Sequence, residues 1–246
     1  MQESIVLFFG LLFLVAFLYA SVGHGGASGY LALMAIFSIT PEVMKPTALL
    51  LNLFVSLTSF IQFYRGGYFI RKIFWPLALA SVPMAFLGGL VVLDGLVYKK
   101  ILGLLLLIPV ARFFFFSNMP AGEFNQPKTW LSLIIGAVIG LLSGLIGIGG
   151  GIILSPMLLF LKWTDQKQTA AISALFIFVN SASGLAGQVT KGIQFNTDMA
   201  AYVLVAFTGG IFGAYFGALK FKQTMLKNIL ALVLLLAAGK LLFTSA

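Results

Sequence analysis

Two glycine clusters, each set in the middle of an apolar run, constrain this chain more than any other feature. Residues 5–22 lead into Gly23-His24-Gly25-Gly26 and then a short run, 27–39. Residues 130–146 lead into Gly147-Ile148-Gly149-Gly150-Gly151 and then a second short run, 152–161. Glycine inside a helix costs roughly 1 kcal/mol relative to alanine, so both runs are expected to break there. At 1.5 Å per residue the short pieces reach only about 15–20 Å, too little to cross a hydrocarbon core of about 30 Å.

The surroundings of the breaks say what solvent the chain meets. Of its 246 residues 61% are hydrophobic and 9% charged, with a mean hydropathy of +1.09. A soluble domain carries about a quarter of its residues charged, so lipid must be the main solvent. Six further runs are long enough to span: 44–64, 73–93 and 98–116, then 166–189, 199–219 and 225–243. The first run, 5–22, has no basic leader and is read as a retained membrane segment. The 15 Lys and Arg outnumber the 6 Asp and Glu, but they sit singly or in pairs between apolar runs. That is a topology signal and not a nucleic-acid face.

The two halves, 1–116 and 129–246, read as copies joined by a linker at 117–128. Gly23-x-Gly25-Gly26 recurs as Gly147-x-Gly149-Gly150, and Lys45-x-Thr47-Ala48 as Lys167-x-Thr169-Ala170. Arg65-Gly66 recurs as Lys191-Gly192, and Ile101-Leu102 with Arg112 as Ile229-Leu230 with Lys240. If each broken unit is a hairpin with its ends on one face, the loops near 65–72, 112–128, 162–167 and 220–227 share a side and hold most of the basic residues. The positive-inside rule then puts both termini outside. A hairpin plus three crossings is an odd traverse. The expected fold is therefore an all-α integral membrane protein of two inverted repeats, each a Gly-broken hairpin plus three transmembrane helices.

A broken helix at the midplane offers amides and a positive dipole end to an anion, and two such breaks would aim helix N-termini at Ala27 and Ile152 toward one site. The plain alternative is close helix packing by small residues. Ser155-Pro156 follows the second break, and the Thr-Ala motifs lead to mid-helix Asn52 and Asn180. On these motifs the chain resembles the TauE/SafE sulfite exporter family over nearly its whole length. The resemblance implies export of sulfite or an organosulfonate such as sulfoacetate, with the first copy departing at His24 and at Ala27, where the third glycine would stand.

The expected substrate-binding set is Gly23, His24, Gly25, Gly26, Ser28 and Asn52, with Gly147, Gly149, Gly150, Gly151, Ser155 and Asn180. His24, the only histidine, is the one intramembrane side chain that titrates near neutral pH and the candidate for proton coupling. Single hydroxyls in the long helices read as interhelical hydrogen bonds, and Arg112 and Lys240 as snorkelling ends. Cysteine is absent and no carboxylate lies inside an apolar run, which leaves no thiolate or carboxylate metal site, no acid–base pair and no cofactor expected. The reading is a secondary transporter in a bacterial inner membrane, not an enzyme, with a passive anion channel as the alternative. Its partners are a small anion and the lipid bilayer, without nucleic acid, and a homo-oligomer is left open.

Overall fold

A computed structural model describes residues 2–21, 25–115, 124–193 and 197–217, together with 235, 238, 239, 242 and 243. These residues form helices and no strand. The helices are α1 Gln2–Ser21, α2 Ala27–Ile36, α3 Pro41–Arg65, α4 Arg71–Leu90, α5 Gly95–Phe115, α6 Thr129–Ile146, α7 Gly151–Phe160, α8 Gln166–Val189 and α9 Thr197–Gly217. Within them α3, α4, α6 and α8 (from Lys167) are each long and apolar enough to cross a membrane. The expected crossing at 225–243 lies almost wholly outside the described residues, as do Gly23, His24 and most of the linker.

Both glycine breaks fall where the sequence places them, and both units fold back on themselves. In the first, Phe8 of α1 meets Phe37 beyond the end of α2, ring centroids 5.2 Å apart. Nearer the break, Tyr19 and Ser28 share a 2.7 Å hydroxyl bond. In the second, Asn125 ahead of α6 donates through its backbone to the Lys162 carbonyl at 2.8 Å and through its side chain to the Leu161 carbonyl at 3.0 Å. These bonds pin the start of α6 to the end of α7. The arms are unequal: α1 and α6 are about 30 and 27 Å long at 1.5 Å per residue, α2 and α7 about 15 Å. The N-terminal turns of α1 therefore overhang, and Ile5, Val6 and Leu7 are exposed.

The helices start and stop on local chemistry. Pro41 opens α3 with its missing N–H in a position that would be unpaired anyway, Glu42 sits in the first turn and Arg65 in the last, as the dipole prefers. A full capping box between Asp165 and Gln168 opens α8. Gly147 ends α6 in the left-handed region at φ 88, a conformation that costs a side-chain-bearing residue about 1–2 kcal/mol.

The main packing runs between halves. The glycines of α6 lie on the backbone of α4 in step, Gly136 against Leu77, Gly140 against Ser81 and Gly144 against Ala85. Residue numbers rise together, so α4 and α6 run parallel, the close approach that small-xxx-small spacing permits. On the other side Gly209 meets Phe13 and Gly213 meets Phe17, so α1 and α9 also run parallel. Between these pairs α3 and α8 cross antiparallel, with Asn52 beside Ser181 and Leu49 beside Gly184.

The loops group as the hairpin reading requires. Lys167 donates to the Tyr68 hydroxyl at 3.1 Å and stands over its ring. With the Asn125–Lys162 bond, this gathers 64–72, 124–128 and 161–167 on one face. Lys45 donates to the Val91 carbonyl at 3.2 Å on the opposite face. Large apolar side chains such as Trp75, Leu79, Trp130, Val138 and Leu204 stand exposed around the outside, where lipid replaces water.

Candidate functional site

The two breaks meet where α3 crosses α8. A Cβ built on Gly25 would stand 2.9 Å from Ile177 Cγ2 and 3.1 Å from Asn52 Oδ1. One built on Gly149 would stand 2.8 Å from the same methyl, 2.6 Å from Asn52 Nδ2 and 2.9 Å from Ser181 Oγ. The breaks are thus separated by one methyl group and one amide. Asn52 is fully buried between them, donates to Ser181 Oγ at 3.2 Å and keeps Oδ1 without a partner.

Each break delivers a buried helix N-terminus. Among the described residues, the first backbone bond of α2 is Tyr30 N–H to Gly26 carbonyl at 3.0 Å, and α7 begins with Ile153 and Leu154 N–H to Gly150 carbonyl at 3.1 and 3.0 Å. The amides of Ala27, Ser28 and Gly29, and those of Gly151 and Ile152, donate to no described group. Neither cap, Gly26 nor Gly150, has a side chain to supply a bond. Helix ends of this kind are satisfied by caps, water or ligands, and a buried pair with positive dipole ends suits an anion. The α7 helix starts at Gly151, one residue before the expected Ile152; α2 starts at Ala27 as expected.

The opposite pole is dealt with locally. The Tyr98 hydroxyl of α5 donates to the Ile146 carbonyl at 2.8 Å, and Gly147 N–H to the Ser143 carbonyl at 2.8 Å. Two carbonyls at the C-terminal end of α6, those of Ser143 and Ile146, are thereby bonded, while the amides of Gly151 and Ile152 at the start of α7 donate to no described group. A further donor comes from Tyr30, fully buried, whose unpartnered hydroxyl would be 2.7 Å from a Cβ on Gly26. Helical side chains lean toward the preceding turn, so a tyrosine four residues after the cap covers the break.

Of the expected residues, Gly25, Gly26, Asn52, Gly149, Gly150 and Gly151 come together here. Gly147 turns the chain out of α6 and packs on the Lys45 backbone. The Ser28 hydroxyl is bonded to Tyr19 and that of Ser155 to Ser173 at 2.8 Å, so these side chains brace the half-helices. Asn180 donates to the Phe176 carbonyl one turn back at 2.8 Å, leaving its Oδ1 buried without a partner. Gly23 and His24 fall outside the described residues. Sequence reasoning missed Tyr30, Tyr98 and Ile177. Spacing from the cap could have flagged Tyr30; nothing local flags the others.

The profile described as "Sulfite exporter TauE/SafE" matches residues 8–241. The chain belongs to the TauE/SafE sulfite exporter family. It is similar to the probable membrane transporter protein y4hK of Sinorhizobium fredii, 36% identical over 94% of this chain and 95% of that one. It is also similar to the probable membrane transporter protein YunE of Bacillus subtilis, 25% identical over 83% of this chain and 82% of its relative. A third relative, the probable membrane transporter protein MJ0441 of Methanocaldococcus jannaschii, is 28% identical over 57% of this chain and 54% of its own. No solved structure matches the chain. The TauE/SafE membership and these relatives make it a multi-pass membrane transporter.

Proposed function

We propose that this TauE/SafE member is a secondary transporter exporting sulfite or a small organosulfonate such as sulfoacetate across a bacterial inner membrane. The anion is held at the midplane between the N-termini of α2 and α7. The observation that carries the reading is the meeting of two buried, uncapped helix N-termini across Asn52. Neutral donors and dipoles would bind an oxyanion without the tight grip that prevents release. The parallel pairs α1–α9 and α4–α6, with α3 and α8 antiparallel, support halves inserted in opposite senses, the arrangement that lets one site open to either side.

Asn52→Asp tests the site. The substitution keeps the shape and puts a fixed carboxylate where the bound anion would be neutralised by two helix ends. In the parent protein, sulfite at a hundred times its Kd should stabilise by about 2.7 kcal/mol. The variant should fold, show no sulfite-dependent rise in melting temperature, and give no flux in proteoliposomes. Undiminished flux through Asn52→Asp sinks the proposal.

Orientation is tested separately. The face carrying Arg65, Arg71, Lys72, Lys128, Lys162 and Lys167 should be cytoplasmic. The chain has no cysteine, so single cysteines report cleanly. Val92→Cys should react with an impermeant maleimide in intact cells, and Phe124→Cys only after permeabilisation. The reverse pattern would overturn the orientation.

A further inference from the structure

On the face opposite the basic loops, a cavity of about 180 Å³ is walled by the start of α3, the end of α4, Tyr98 of α5 and the end of α8 with the turn after it. Its mouth is exposed at Glu42 and Lys191, and its floor is buried at Pro46, Gly89, Tyr98 and Gln188. At about 30 Å³ per water, it has room for a small oxyanion and part of its hydration shell.

Gln188 is the informative residue. It is 2% exposed and lines the cavity, and neither its amide nitrogen nor its amide oxygen has a partner. Buried amides are nearly always bonded, and leaving one unbonded costs about 1–3 kcal/mol per group. Beside it Lys45 uses one ammonium proton on the Val91 carbonyl, which leaves two donors. Lys191 adds a second positive charge at the mouth and Glu42 a single negative one. The floor backs directly onto the second break: a Cβ on Gly147 would stand 2.9 Å from the Lys45 carbonyl oxygen, and Tyr98 holds the Ile146 carbonyl.

We infer that this cavity is a second, outer anion site, a vestibule in which Gln188, Lys45 and Lys191 take a sulfur oxyanion on its way to or from the helix breaks. The inference rests on the proposed central anion site and adds an access point on one face of the membrane. The amide of Gln188 supplies neutral donors, and the two lysines supply the field that concentrates anions at the mouth. One carboxylate against two ammonium groups keeps the vestibule weaker than a closed cationic cage, as onward passage requires.

Sulfite titrated calorimetrically into the protein in nanodiscs reads both sites. The parent should show two binding events. Gln188→Met, near in shape and without the unbonded amide, should remove the weaker event, keep the tighter one, and leave the melting temperature unchanged or raised. Lys45→Gln, the second variant, should weaken the same event at least tenfold. Asn52→Asp should do the opposite, removing the tighter event and keeping the vestibule. If Gln188→Met and Lys45→Gln leave the titration unchanged, the cavity holds only water and the vestibule is overturned while the central site stands. A fall in melting temperature with Gln188→Met would make the amide structural and overturn it too. Absence of every sulfite event in the parent removes the central site and the vestibule together.

Discussion

Gly149→Ala should lower sulfite flux about a hundredfold while the protein remains folded. The new methyl would stand 2.6 Å from Asn52 Nδ2 and 2.8 Å from Ile177 Cγ2, on a residue whose φ is +70. The left-handed backbone costs about 1–2 kcal/mol, and the neighbours are side chains that can give. The methyl would nevertheless stand between the two breaks, against the Asn52 amide and the Ile177 methyl that separate them. Loss of two charge-assisted hydrogen bonds at about 1.5 kcal/mol each corresponds to roughly a hundredfold in affinity. Proteoliposome flux and the sulfite-dependent melting shift should fall together. Gly10→Ala is the control, since a Cβ there meets nothing within 4 Å. Gly149→Ala with flux equal to that control would return the glycines to a packing role.

Gly140→Leu should produce the opposite phenotype, loss of stability and not of transport by the protein that remains folded. Its Cβ would land on the Ser81 backbone, 2.6 Å from Ser81 Cα and on the carbonyl oxygen besides. Backbone cannot rotate away as a side chain can, so α4 and α6 must separate. Overpacking of this kind costs about 3 kcal/mol or more, a fall of roughly 6–12 °C in melting temperature for a chain of this size. Size-exclusion profiles and thermal melts of detergent-purified protein measure it. Gly88 and Gly213 also press on backbone, of Leu141 and Phe17, and should behave in the same way. A normal melt for Gly140→Leu would show that the α4–α6 contact is not what holds the halves together.

The breaks were readable in the sequence because a glycine cluster within an apolar run is a local event with a local cause. The fold-back of each unit was readable from charge, since Lys162, Lys167 and Arg71 had to share a face, and Lys167–Tyr68 and Asn125–Lys162 bring those loops together. Partner choice was not readable. Gly136, Gly140 and Gly144 recur every fourth residue and announce close packing, but such a ridge accepts any backbone, and only the fold says it is α4. Asn52 and Asn180 looked alike on matched helices. Counted from Thr47 and Thr169, however, they stand five and eleven residues on, so Asn52 reaches both breaks while Asn180 turns back to Phe176. Tyr98 bonds a carbonyl 48 residues away, and no local pattern encodes that.

The exchange of partners between halves has a consequence for how the chain is made. When synthesis reaches the linker, α1 and α4 are already in the bilayer, but the surfaces they dock on, α9 and α6, do not yet exist. Lipid must cover those faces in the meantime, which it does at little cost because a tail is as apolar as a leucine. Emergence of α6 gives α4 its glycine ridge. Only when α9 emerges does α1 gain its own. Helix α1 thus enters the membrane well before it is locked, and the nascent protein stays open along one seam until α9 has been inserted.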